Sequence, residues 1–126
     1  MKEVIATDRA PRAIGPYSQG IRAGGFVFFS GQIPLDAVSG RMRGKEIGEQ
    51  TEQVMENIHG VLSAAGLGFE DVVKTTIFLV DLNDFAAVNR IYGDYFGSEF
   101  PGRSCFQVSK LPAGGLVEIE VVAYKG

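Results

Sequence analysis

Val72-Val73-Lys74-Thr75-Thr76-Ile77-Phe78-Leu79-Val80 decides the fold. Only Lys74 interrupts this run of Val, Thr, Ile, Phe and Leu. Such a run reads as an interior strand that is apolar on both faces. Both faces then need cover. Upstream, residues 49–65 carry Val54, Ile58, Val61, Leu62 and Ala65 at helical spacing, with Glu49, Glu52, Glu56, His59 and Ser63 opposite and Gly66 as a stop. Downstream, Asn83 or Asp84 is placed to cap a second helix, with Phe85, Val88, Tyr92, Tyr95 and Phe96 inward and Gly97 ending it. Two amphipathic helices cover one face of the sheet. The other face, assigned Val72, Thr76, Phe78 and Val80, would expose a larger apolar patch than a monomer tolerates. Another subunit is therefore expected to cover it.

Further out, Val4-Ile5-Ala6 reads as a first strand. Residues 8–17 hold Pro11, Gly15 and Pro16 and read as an extended loop ending near Tyr17. Ile21-Arg22, Ala23-Gly24-Gly25 and Phe26–Ser30 read as a hairpin with a glycine turn. Residues 31–48 form a long loop, often a functional feature in compact domains. Near the C-terminus, Arg103-Ser104-Cys105-Phe106-Gln107-Val108 and Val117-Glu118-Ile119-Glu120-Val121 both alternate with period two. If Phe106 and Val108 join Val117, Ile119 and Val121 on the core, then Arg103, Cys105, Glu118 and Glu120 gather on the opposite face. The element order gives an α+β layer, a mixed sheet with two helices packed on one face.

A length of 126 residues suits one domain spanning residues 1–126. The net charge of −3 carries no electrostatic footprint for nucleic acid. Cys105 is the only cysteine, so no internal disulfide forms, and a reducing cytoplasm is the expected compartment. No segment has the apolar length of a signal peptide or a membrane span. With one histidine and one cysteine a zinc site would have to rely on carboxylates, so no metal is expected.

Among residues able to carry chemistry, Arg103 has a planar fork that suits a carboxylate. It suits a structural pair with Glu118 or Glu120 equally well. Of those two carboxylates, one can partner the arginine and the other orient a water, although Glu alternating with Val and Ile is also the mark of a half-exposed strand. Cys105 follows Arg103 on the same strand face but lacks a base, since His59 belongs to the solvent stripe. Asn89 sits one turn from Phe85 and Tyr92, and its amide needs partners. Tyr17 ends the Pro/Gly loop. Ser30 and Gly31 end a hairpin strand, where a hydroxyl and backbone N–H groups can meet an anion or carbonyl oxygen.

Taken together, Ala13-Ile14-Gly15-Pro16-Tyr17-Ser18-Gln19, Ser30-Gly31-Gln32-Ile33-Pro34, Asp81–Asn89, Pro101-Gly102-Arg103-Ser104-Cys105 and Val117–Glu120 form an ordered set over essentially the whole chain. In this the chain resembles the reactive-intermediate deaminase (Rid, or YjgF) family, most closely its imine-deaminase branch. The resemblance implies a chorismate-mutase-like α+β fold and a homotrimer with sites between subunits. It implies hydrolysis of 2-imino acids, such as 2-iminobutanoate and 2-iminopropanoate, to 2-oxo acids and ammonia without a cofactor. The imines would come from pyridoxal-phosphate-dependent dehydratases. By the same resemblance, Arg103 grips the substrate carboxylate. Glu118 positions the attacking water with the Cys105 backbone, and Tyr17, Ser30, Gly31 and Asn89 line the pocket. One departure is Gly102, where many members carry Ala, Ser or Thr.

Overall fold

The computed structural model describes residues 1–126. Six strands form one sheet: β1 (Glu3–Ile5), β2 (Gly20–Ala23), β3 (Phe26–Phe29), β4 (Val72–Leu79), β5 (Gly102–Gln107) and β6 (Val117–Tyr124). Their spatial order is β1-β2-β3-β6-β4-β5. Every pairing is antiparallel except β4 with β5. That parallel pair is joined through the second helix, as parallel neighbours require a crossover. The fold is α+β: a mixed sheet with helices α1 (Ile47–Ala64) and α2 (Phe85–Phe96) on one face.

Local chemistry sets the element boundaries. Helix α1 starts two residues before the expected position. The Glu49 carboxylate reaches back to accept from the N–H groups of Lys45 and Glu46, at 3.1 and 3.2 Å, and so satisfies donors a helix start leaves free. Its end is a glycine stop. Gly66 adopts φ +75°, and the Leu67 N–H bonds back to the Leu62 carbonyl at 2.9 Å. Neither Asn83 nor Asp84 caps α2 through its side chain. The chain enters α2 through a 3₁₀ turn at Leu82–Asp84, and the Asp81 carboxylate accepts from the Asn83 N–H at 2.9 Å. The β2–β3 turn uses Gly24 at φ +62°.

The core lies between the helices and one sheet face. Val27, Phe29, Ile77, Leu79, Val117, Ile119, Val121 and Ala123 meet Val54, Met55, Ile58, Val61, Leu62, Val88 and Tyr92 there. On α2 only Val88 and Tyr92 are fully buried; Tyr95 and Phe96 pack partly against the core around Phe69. Helix α1 also buries four polar residues: Gln50, Thr51, Gln53 and Asn57. Two of them hold neighbouring backbone: Asn57 donates to the carbonyls of Ile33 and Leu35, and Gln50 accepts from the Leu116 N–H; Gln53 in turn donates to the Asn57 side-chain oxygen.

Two face assignments from the sequence are corrected. A bulge between Val72 and Lys74 shifts the phase of β4, so Val72 turns into the core and Val73 is exposed. The second correction is larger. Residues paired directly across strands share a face, so Arg103 and Cys105 go with Thr75 and Ile77 on the helix side. Glu118 and Glu120 go with Phe78 and Thr76 on the uncovered side. The expected gathering of these four on one face therefore does not occur. Phe106 is the reason: it does not enter the core but lies beside Phe78 on the uncovered face, ring centroids 6.5 Å apart. Phe26, Phe28 and Tyr124 extend the same aromatic surface.

Candidate active site

Glu118 lies on the uncovered side of β6, in a cleft of about 440 Å³. Tyr17, Ser30, Gly31, Arg12 and Gln32 share that cleft. Its floor is built by one reciprocal bridge. Gln32 and Ile119 exchange backbone hydrogen bonds of 2.8 and 3.1 Å, which lays Ser30-Gly31-Gln32 along β6. The Glu118 carboxylate then packs over the Gly31 Cα, and a methyl group at Gly31 would overlap it. Glu118 is half-buried, and its carboxylate takes no hydrogen bond from the protein. Burial, and secondarily the charge of Glu120, push its carboxyl above the ordinary value of 4.5. Such a group is a carboxylate with free lone pairs that holds a proton more readily than an exposed one.

Ser30 is less available than its position suggests. Its hydroxyl donates to the Ser18 carbonyl at 2.6 Å, so only acceptor capacity faces the cleft. Tyr17 is more than half exposed, on the loop wall opposite.

Arg103 lies on the other side of the sheet, where β5 meets α2. It borders a recess of about 500 Å³ with Asn89, Tyr92, Phe100 and Pro101. Its Nη1 donates to the Asn89 Oδ1 at 2.7 Å. Its Cζ stands 5.3 Å from the Phe85 ring centroid and 5.1 Å from that of Tyr92. Tyr92 is fixed in turn by a 2.8 Å bond between its hydroxyl and the buried Thr75 hydroxyl. The guanidinium is thus held against two rings by one amide, with most of its N–H groups free for an incoming carboxylate. Phe85, Asn89 and Tyr92 fall at i, i+4 and i+7 of one helix. That spacing was the signal for this platform, but the rings read as core residues in the sequence.

Cys105 lies on the helix side of the sheet, as Arg103 does, but lines neither cleft. It packs against the core, and burial pushes its thiol up, against the opposing pull of Arg103. It is a protonated thiol at neutral pH, unsuited to attack. His59 is exposed on α1, against Phe69. Within one chain, then, the structure brings Tyr17, Ser30, Gly31 and Glu118 together, and Asn89 with Arg103, on opposite faces of the sheet. Arg12, Gln19 and Gln32 join the first group without having been singled out.

The chain is 52 % identical over 125 residues to a RutC family protein of Pyrococcus horikoshii, covering 99 % of both. It is 46 % identical over 126 residues to human 2-iminobutanoate/2-iminopropanoate deaminase, covering 100 % of this chain and 92 % of that protein. Among solved structures, YyfA of Yersinia pestis, a member of the conserved Rid family, superposes with a TM-score of 0.97 at 50 % identity, covering 99 % of this chain and 100 % of that one. The family model described as endoribonuclease L-PSP matches residues 7–125, and the chain belongs to this family, also called YjgF or Rid.

Proposed function

We propose that this protein hydrolyses reactive 2-imino acids, of the 2-iminobutanoate and 2-iminopropanoate class, to 2-oxo acids and ammonia. It does so as a homotrimer of single-domain subunits, each site lying between two copies. The observation that carries this reading is the separation of two incomplete half-sites by one sheet. A preorganised carboxylate clamp at Arg103 lacks a base, and a desolvated carboxylate at Glu118 has no comparably fixed cation, since Arg12 lines its cleft without pairing with it. The aromatic face that carries Glu118 is left bare in the single chain, as an inter-subunit surface would be. The kinship to the human deaminase supports the substrate class.

In this mechanism Arg103 binds the substrate carboxylate through two parallel hydrogen bonds. Glu118, ionised, holds a water against the iminium carbon, with the Cys105 backbone as second holder. Water adds to that carbon as the C=N π pair moves to nitrogen, and Glu118 takes the proton. The carboxyl then returns the proton to the amine nitrogen. The C–N pair leaves with ammonia as the carbinolamine hydroxyl forms the carbonyl of the 2-oxo acid, and the re-ionised Glu118 takes the hydroxyl proton and passes it to solvent. Because the iminium carbon is already electrophilic, positioning and one proton carrier suffice. Tyr17, Ser30, Gly31 and Asn89 shape the walls.

The test couples the protein to a threonine dehydratase and follows 2-oxobutanoate formation. Wild-type protein is expected to accelerate release over buffer. Arg103→Ala is expected to lower the rate by about 10²-fold or more with oligomeric state unchanged. Full activity in that variant would overturn the mechanism. No acceleration by the wild type would leave a non-catalytic binder of 2-oxo acids.

A further inference from the structure

Gln19 has no part in the chemistry above, yet it is the most heavily bonded side chain near the Glu118 cleft. It is 5 % exposed. Its Oε1 accepts from the Thr7 N–H at 2.7 Å. Its Nε2 donates to the carbonyls of Thr7, Pro11 and Ala10 at 3.0, 2.8 and 3.3 Å. Its own carbonyl accepts from the Ser30 N–H at 2.9 Å. One residue therefore fastens the 7–11 segment, the end of the Tyr17 loop and the Ser30 turn.

Residues 6–19 contain no helix or strand, and their only internal backbone bond runs from the Tyr17 N–H to the Gly15 carbonyl at 2.9 Å. A loop without its own ladder is held by whatever side chains satisfy its polar groups. Here that is chiefly Gln19. Both protons of its amide are committed to backbone carbonyls, so it has no donor left to offer a substrate.

We infer that Gln19 is a positioning residue: by bracing residues 7–11 against Ser30 it fixes the wall that carries Tyr17 into the Glu118 cleft. The inference rests on the deaminase reading for its kinetic consequence. A small displacement of a site wall is enough to cost about 10²-fold in rate.

The test compares Gln19→Ala, Tyr17→Ala and the double variant in the coupled assay, alongside amide exchange of the wild type and Gln19→Ala. Gln19→Ala is expected to lower kcat by about ten- to a hundredfold. The double variant is expected to be no slower than the slower single one, because Gln19 acts through the Tyr17 loop. Amide exchange is expected to quicken at Thr7 and Tyr17 while α1 and β6 keep their protection. Should Gln19→Ala fold poorly, Gln19→Met retains bulk without the hydrogen bonds and is read in the same way. Losses that multiply in the double variant, or a full wild-type rate in Gln19→Met, would overturn the inference. An inactive wild type would instead sink the deaminase reading, and unchanged exchange at residues 7–17 would then still refute the brace.

Discussion

At Gly31 the backbone runs directly beneath the Glu118 carboxylate, so the smallest residue is set by the neighbour rather than by a turn. Its φ is not among the positive values, and alanine is tolerated by the backbone itself. Gly31→Ala is therefore expected to displace the end of the Glu118 side chain at little cost in stability. Activity should fall about 10²-fold with Tm nearly unchanged, checked by kinetics and thermal melting together. Glu118 also makes a pH prediction. Its folded pKa is raised, so its contribution to stability is intact below the ordinary value of 4.5 and is lost as pH rises through the raised one. Glu118→Gln should melt above the wild type at neutral pH, and the gain should vanish as the pH falls below 4.5. In the wild type the acid limb of the rate profile should lie above the ordinary value of 4.5. A rate already full at pH 4.5 would contradict this.

At the scale of elements, the long loop before α1 is ordered by the helix it precedes. Asn57 is 1 % exposed and holds the carbonyls of Ile33 and Leu35 at 3.0 and 2.9 Å. Asn57→Ala would leave both without that partner and the Gln53 amide without its acceptor. The expected cost is about 1–3 kcal/mol in urea unfolding, with faster amide exchange through residues 31–44. Helix α2 plays the matching part for Arg103. Phe85, read as inward from its spacing, is exposed, and with Asn89 and Tyr92 it meets a strand that supplies a cation in place of an apolar residue.

At the scale of the molecule, the sheet has one face covered by α1 and α2 and one face bearing Phe26, Phe28, Phe78, Phe106 and Tyr124. Phe28 is 48 % exposed and Phe106 is 52 % exposed. An aromatic surface of this kind marks an association site. With the homotrimer proposed above, Phe28→Asp should fold as a monomer and fail to assemble, since assembly would bury an unpaired charge. Light scattering after size exclusion gives the mass directly. An unchanged trimer would remove this face from the interface. No helix is long and apolar enough to cross a membrane.

Periodicity and stop signals were enough to read the two helices, the glycine hairpin and the interior strand, because each is a local property of spacing and backbone freedom. The same local reasoning ordered the motifs that place Tyr17, Ser30, Arg103 and Glu118 near strand ends and Asn89 within the second helix. It failed on which face each side chain takes. In a sheet apolar on both sides, alternation in β5 is symmetric: Phe106 inward and Arg103 outward fits the pattern as well as the reverse. Only tertiary contact breaks that symmetry. Helix α2 offers an amide and two rings to Arg103, Phe78 offers a neighbour to Phe106, and a bulge resets the phase of β4. These are long-range contacts that no window of sequence contains, and they put Arg103 and Glu118 on opposite sides of one chain.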